Sequence, residues 1–198
     1  MYRIMPPNRP KPPKCKAITK KGTRCNKTTT ASPYCWIHLR ALENLIIKPS
    51  TIPNAGLGLF TTKSILIPKP KKKKGKRRKK RKSKPKLPVI TAYAGPIVRQ
   101  NPQNGYTLKI AKHAYMDGSD PNSSAARFSN TCKPKMVKDK ICVKNAKFVI
   151  NKRNKTATMK ATKDIVVESK KRKKRGRKPK NQPIPATEIF VDYGQYRL

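Results

Sequence analysis

Two stretches decide the reading of this chain: residues 125–132, AARFSNTC, and residues 188–194, EIFVDYG. The first brings an arginine, an asparagine and a cysteine close together. The second runs Ile, Phe and Val into Asp192, Tyr193 and Gly194. Taken singly, each is compatible with ordinary structure, because Asn suits turns with local hydrogen bonds and aromatic residues suit strands. Around them lie AGLGLF (55–60), VITAYAGPIV (89–98), YTLKI (106–110), AKFVI (146–150), TATMKA (156–161) and DIVV (164–167). Short runs rich in Val, Ile, Thr, Tyr and Phe, bounded by turn residues, read as short strands. The expected fold is mainly β.

Charge organises the rest. The 198 residues carry 51 Lys and Arg against 8 Asp and Glu, a formal net charge of +43. A compact fold tolerates such self-repulsion only if much of the charge lies on solvated segments or beside polyanions, which makes nucleic acid an expected partner. Residues 69–86 (KPKKKKGKRRKKRKSKPK) hold 14 of the basic residues and residues 170–180 (KKRKKRGRKPK) hold 9. Like charges at that density cannot pack, so both tracts read as disordered loops inserted between strands. Residues 1–14, Pro-rich and basic, read as a disordered arm. No stretch of 18 apolar residues exists, and the N-terminus lacks an apolar signal core, so a membrane span and secretion are not expected.

Residues 15–47 read as a separate unit. Cys15, Cys25, Cys35 and His38 are separated by nine, nine and two residues. Three thiolates and an imidazole can close a tetrahedral zinc shell with no open position, a structural site rather than a catalytic one. Its roughly 24 residues offer too little core to fold without metal. A reduced compartment with metal binding fits five cysteines better than a disulfide framework, and disulfides are set aside. The module resembles short Cys3His knuckles found beside other domains in viral and bacterial proteins, a likeness that implies a metal and no activity. Trp36, Leu39, Leu42, Leu45 and Ile46 recur at helical spacing, predicting one short amphipathic helix over 36–47, stopped by Pro49.

The order of the segments over residues 48–198 carries a resemblance. GLGLF, AYAG, YMDG, AARFSNTC, NAKF, KDI and TEIFVDYG are similar to the motif succession of SET domains, with RFSNTC and DYG resembling the family's most specific pair. The resemblance implies a fold of short β-sheets in which the two specific segments cross as a C-terminal pseudoknot. It also implies a protein lysine N-methyltransferase using S-adenosylmethionine. Small size and the zinc module further resemble SET proteins of large DNA viruses.

Carried onto this chain, the backbone around Gly56, Leu57 and Gly58 would hold the cofactor, with Tyr106, Arg127, Phe128 and Asn130 completing its pocket. Tyr193 would be the catalytic tyrosine, also touching cofactor, and Tyr93 would line the channel for the substrate lysine. Phe148, Val191 and Asp192 would face substrate. Asp117, Asp192 and Glu188 are the acidic residues near the motifs that would attract its positive charge. Thr131 departs from the family's usual histidine, and no cysteine-rich tail follows residue 194. His113 reads as a surface residue.

The expected function is therefore methylation of lysine in a histone or histone-like protein, in the nucleus, or a host nucleus if the chain is viral. DNA or nucleosomes would be held by the lysine-rich loops. Arg175, Gly176 and Arg177 resemble the core of an AT-hook, whose extended Arg-Gly-Arg enters a narrow minor groove; nuclear import is the other use of such runs. The departures leave open an alternative, a catalytically weak SET-fold protein that binds or condenses DNA. A third reading is an adaptor whose zinc module binds another protein.

Overall fold

The structure is a computed structural model that describes residues 11–29, 31–69, 86–120, 123–139, 141–168 and 185–193. Both lysine tracts fall almost wholly outside those residues, as do the N-terminal arm to residue 10 and Gly194. Described residues are mainly β, as the sequence predicts. Among the described residues, ten short strands form three small sheets.

Strands β1 (Leu45–Pro49) and β2 (Leu57–Thr61) form an antiparallel hairpin, with β9 (Thr187–Glu188) on the far side of β2. A second sheet orders β10 (Val191–Asp192), β7 (Ala146–Asn151), β8 (Thr156–Ala161) and β3 (Val89–Tyr93). A third joins β4 (Ile97–Val98), β6 (Ala114–Asp117) and β5 (Thr107–Ala111). Alternation decides which faces turn inward: in β8, Ala157, Met159 and Ala161 are buried, and opposite them in β7 so are Ala146 and Phe148. These side chains meet Leu45, Leu59, Leu108, Ile110, Ile189 and Val191 in one core. Each large apolar side chain fully buried there contributes about 1.5–3 kcal/mol.

The C-terminal segment is inserted between two others. Val191 N–H donates to the Asn130 carbonyl at 2.8 Å, and β10 then pairs parallel to β7, Val191 opposite Ala146. Residues 187–192 thus touch β2, the Asn130 segment and β7 in turn, the crossing that the resemblance implies.

The linking helix differs from expectation. Helical structure begins at Trp36–His38 (α1), continues as a wide π-type turn over Leu39–Glu43 and stops at Asn44, whose φ is 56°. Residues 45–49 are strand, not helix, so the expected boundary at 47/48 falls inside β1. The reason is tertiary. Ile46 and Ile47 are β-branched, stiff in helices, and lie opposite Phe60 and Leu59 in the hairpin. Leu39 and Leu45 are buried, whereas Trp36 and Leu42, taken as part of the same apolar face, are exposed.

A second difference concerns cysteine. Cys132 and Cys142 are joined by a disulfide that closes the loop carrying α2 (Pro134–Lys138), and both are buried with Ile52 and Phe190. No spacing rule pairs two cysteines ten residues apart. It is the fold that brings their Cα atoms to 6.0 Å. Among the described residues, no helix is long and apolar enough to cross a membrane.

Candidate active site and metal centre

One cavity of about 470 Å3 gathers residues from four distant parts of the chain. Ala55, Gly56 and Leu57 supply one wall from the β1–β2 turn. Gly105, Tyr106 and Thr107 supply a second, the run Arg127–Thr131 a third, and Tyr193 closes the C-terminal side. Gly56 has φ +71°, a left-handed conformation that favours glycine. The turn therefore presents bare backbone to the cavity. Gly58 faces the other way: a Cβ there would overlap the Glu188 carboxylate, so glycine is required for packing and not for access.

The rims are aromatic and cationic. Tyr106, 40% exposed, meets Phe128 edge-on at 6.5 Å, and the Arg127 guanidinium carbon lies 5.3 Å and 4.7 Å from those two ring centres. One amino group of Arg127 donates to the carbonyls of Gly118 and Ser119 at 3.1 and 2.6 Å, which fixes the guanidinium plane. Burial pulls the Arg127 pKa down, while nearby tyrosines and Asp120 push it up.

Behind the cavity, Tyr93, Phe148 and Tyr193 form a contiguous aromatic set. Phe148 meets Tyr93 edge-on at 5.3 Å and Tyr193 at 5.4 Å. Tyr93 is 4% exposed and donates its hydroxyl to the Tyr106 carbonyl. The Tyr193 hydroxyl donates to the Ser129 carbonyl at 3.1 Å. Burial pushes both phenols above their ordinary pKa; for Tyr93 the proximity of Tyr193 adds to this, and for Tyr193 the Ser129 contact opposes it. Both hydroxyls are therefore protonated, hydrogen-bonding groups at neutral pH. Neither is a base.

Glu188 is not where electrostatic attraction of a substrate would need it. Glu188 is 4% exposed and lies beneath the β1–β2 turn. Its carboxylate accepts from Ser50 Oγ at 2.6 Å, Thr51 N–H at 2.7 Å, Thr51 Oγ1 at 2.5 Å and Asn130 Nδ2 at 3.3 Å. The same Asn130 amide donates to the Leu57 carbonyl at 3.1 Å, so Asn130 bridges the turn and the carboxylate. Asp192 is exposed and paired with Lys144 at 3.0 Å. Asp117 is half-buried and accepts from Asn104 and from Ser119 N–H, contacts that hold its carboxyl below the usual range against the opposing effect of burial. Val191 is fully buried. Arg175, Gly176 and Arg177 lie outside the described residues.

The metal candidates come together. One ligand atom from each of Cys15, Cys25, Cys35 and His38 falls within 4.8 Å of the others. His38 Nδ1 is 3.5 Å from Cys15 Sγ and 3.3 Å from Cys35 Sγ. A tetrahedral zinc with bonds of about 2.3 Å to sulfur and 2.0–2.1 Å to nitrogen has a sulfur–nitrogen edge of about 3.5 Å, so the residues fit that ion. Short antiparallel bridges, Lys14 to Thr28 and Ile18 to Arg24, bring Cys15 and Cys25 together. Burial pushes the Cys15 thiol up, yet N–H donors of Cys35 and Ala17 and the His38 ring outweigh it, leaving a pKa of about 7. Cys35 is pushed up by burial and by its neighbour's charge.

No family model matches the sequence, and no curated protein matches it. Solved structures do. The chain is similar to the methyltransferase domain of human PR domain-containing protein 2, at 17% identity and a TM-score of 0.46, over 77% of this chain and 79% of that one. It is also similar to KRYPTONITE in complex with mCHG DNA and SAH, at 17% identity and a TM-score of 0.44, over 77% of this chain and 24% of that one. A second KRYPTONITE complex, with mCHH DNA, H3(1-15) peptide and SAH, matches at 18% identity and a TM-score of 0.43, over 76% and 23%. This chain spans about a quarter of the KRYPTONITE chains.

Sequence reasoning missed Ala55, Gly105, Thr107 and Ser129 as parts of the cavity, and it misread Glu188. The signal available for Glu188 was the pair of hydroxyl residues Ser50-Thr51 just before the glycine turn, but nothing in the sequence links positions 138 residues apart.

Proposed function

We propose that the chain is a SET-type protein lysine methyltransferase that uses S-adenosylmethionine to methylate a histone or histone-like basic protein. One observation carries the reading. Seven of the residues that the motif order nominates for cofactor, from Gly56 to Tyr193, line a single cavity, although they come from segments up to 137 residues apart. A cavity of about 470 Å3 with exposed backbone, aromatic faces and a cationic rim suits a nucleoside-bearing amino acid.

Bound S-adenosylmethionine would supply an electrophilic methyl group on a sulfonium. Everything else falls to the protein. The Gly56–Leu57 backbone and the Asn130 region hold the amino-acid end, and Tyr106 and Phe128 offer ring faces. The substrate lysine must lose its proton, since its unperturbed pKa is about 10.4. With both phenols held protonated, that loss comes from desolvation rather than from a phenolate: the ring set of Tyr93, Phe148 and Tyr193 disfavours the ammonium form. Hydroxyl groups of the same tyrosines then orient the amine's lone pair.

The Cys3His cluster is read as a structural zinc site. The lysine tracts at 69–86 and 170–180 are read as DNA or nucleosome tethers, which raise the effective concentration of substrate without strong contacts in a peptide groove. Action in the nucleus goes with that reading, and the viral likeness rests on the motifs alone. Calorimetry with S-adenosylhomocysteine, followed by labelled methyl transfer to core histones and nucleosomes, tests the proposal. Saturable binding with label on histone lysine is the expected result; binding without transfer would favour the weak, DNA-condensing alternative.

A further inference from the structure

Outside the proposed active site, the cysteine module carries a surface that neither the metal nor the methyl-transfer chemistry uses. Trp36, the chain's single tryptophan, is 68% exposed. It stands at the start of α1, directly after one metal-ligand candidate, Cys35, and two residues before another, His38. Large aromatic side chains usually bury most of their area; here the ring stands in water.

The module's own charges have one sign. No Asp or Glu occurs before Glu43, whereas residues 11–40 contain eight Lys and Arg, every one exposed, among them Lys16, Lys20, Lys21, Lys27 and Arg40. Arg40 lies four residues after Trp36 along the helical turn, the spacing at which side chains are neighbours. Arg24 is held against the module's backbone, donating to the carbonyls of Cys15 and Lys14 at 3.2 and 3.3 Å. The module thus displays an exposed flat ring on a segment whose own charged side chains are all basic.

We propose that this face of the module binds single-stranded nucleic acid, with Trp36 stacking on an unpaired base and the surrounding Lys and Arg neutralising phosphates. Charge complementarity selects the partner: eight exposed Lys and Arg with no carboxylate in residues 11–40 suit a polyanion. The exposed ring selects the form, because a base face is available for stacking only where it is unstacked, in single strands, loops and ends. The lysine tracts carry no part of this inference. Those runs contain no aromatic residue and would neutralise the backbone of duplex and single strand alike.

Because Trp36 is the single tryptophan, its own fluorescence reads the contact in the full-length protein. The titrants are a mixed-sequence DNA strand of about 12 nucleotides, within the site size of single-strand binders, its duplex, heparin and polyglutamate. Saturable quenching by the single strand, with little from the other three, is the expected outcome. Competition binding should then show Trp36→Ala losing roughly 5- to 150-fold of single-strand affinity, the equivalent of one base–aromatic stack, with Trp36→Phe retaining most of it. A 68% exposed side chain can be removed without disturbing the fold, and zinc content with circular dichroism would verify that. Equal quenching by duplex or heparin would reduce the contact to charge alone and overturn stacking. Quenching by polyglutamate but not by the strand would point to an acidic protein partner instead, and no quenching by any titrant would dismiss the surface.

Discussion

The carboxylate of Glu188 accepts the backbone N–H of Thr51 at 2.7 Å, a bond that joins the C-terminal segment to the turn leading into Gly56. Ser50, the Thr51 hydroxyl and Asn130 converge on the same two oxygens. A buried charge is tolerated only when it is surrounded by donors in this way. Two walls of the cavity, the glycine turn and the Asn130 run, are therefore positioned by one side chain that itself lies outside the cavity.

Replacing Glu188 by Ala should leave the half-buried Ser50 and Asn130 donors unpaired, each costing up to about 1–3 kcal/mol where water does not replace the carboxylate. Denaturant unfolding is expected to show a loss of that order or more. Glu188→Gln keeps the shape and should fold, yet weaken S-adenosylhomocysteine binding in calorimetry. Unchanged stability and affinity in both variants would remove Glu188 from the account.

The metal prediction follows from four ligand atoms within 4.8 Å. Protein purified without chelator should contain one zinc per chain, and chelation should unfold residues 15–38 locally, seen as faster amide exchange there. Methyl transfer to a free peptide should survive. Absence of zinc in elemental analysis of such protein would dispose of the site.

The bridge between Cys132 and Cys142 predicts a thiol count. Denatured without reductant and stripped of metal, the protein should show three reactive thiols, those of Cys15, Cys25 and Cys35, rising to five after reduction. Cys142→Ser should lower stability by about 2–4 kcal/mol through loss of loop closure. Five thiols before reduction would contradict the pairing.

Phe148 sits between Tyr93 and Tyr193, at 5.3 and 5.4 Å. Under the proposed function, its lack of a hydroxyl means that no water would be held beside the amine, and a methylated lysine would be free to rotate and present its lone pair again. Di- or trimethyl product is expected by mass spectrometry, and Phe148→Tyr should shift the product toward monomethyl. Stalling at monomethyl-lysine in the unaltered protein under excess cofactor would reject the argument.

The strands were legible because their residues announce them: TATMKA alternates, and its Ala157, Met159 and Ala161 turn inward as a period of two requires. The cavity was legible as an ordered set of motifs, none of which identifies a pocket alone. Three features were not legible. Residues 45–47 look helical by spacing with Trp36 and Leu39, and only pairing with Leu59 to Thr61 makes them strand. Glu188 looked like surface charge until burial under the glycine turn gave it donors. Cys132 and Cys142 looked unpaired because their bridge depends on how α2 folds back over Ile52 and Phe190.

Under the proposed function, the Tyr193 hydroxyl, held by the Ser129 carbonyl at 3.1 Å, would orient an amine for methyl transfer. The most direct measurement compares labelled methyl transfer by the unaltered protein and Tyr193→Phe, with S-adenosylhomocysteine affinity determined on both. A fall in kcat of roughly 100- to 1,000-fold is expected, the effect of losing one preorganised hydrogen-bonding group, with cofactor affinity and unfolding midpoint nearly unchanged. Turnover by Tyr193→Phe equal to that of the unaltered protein would contradict it.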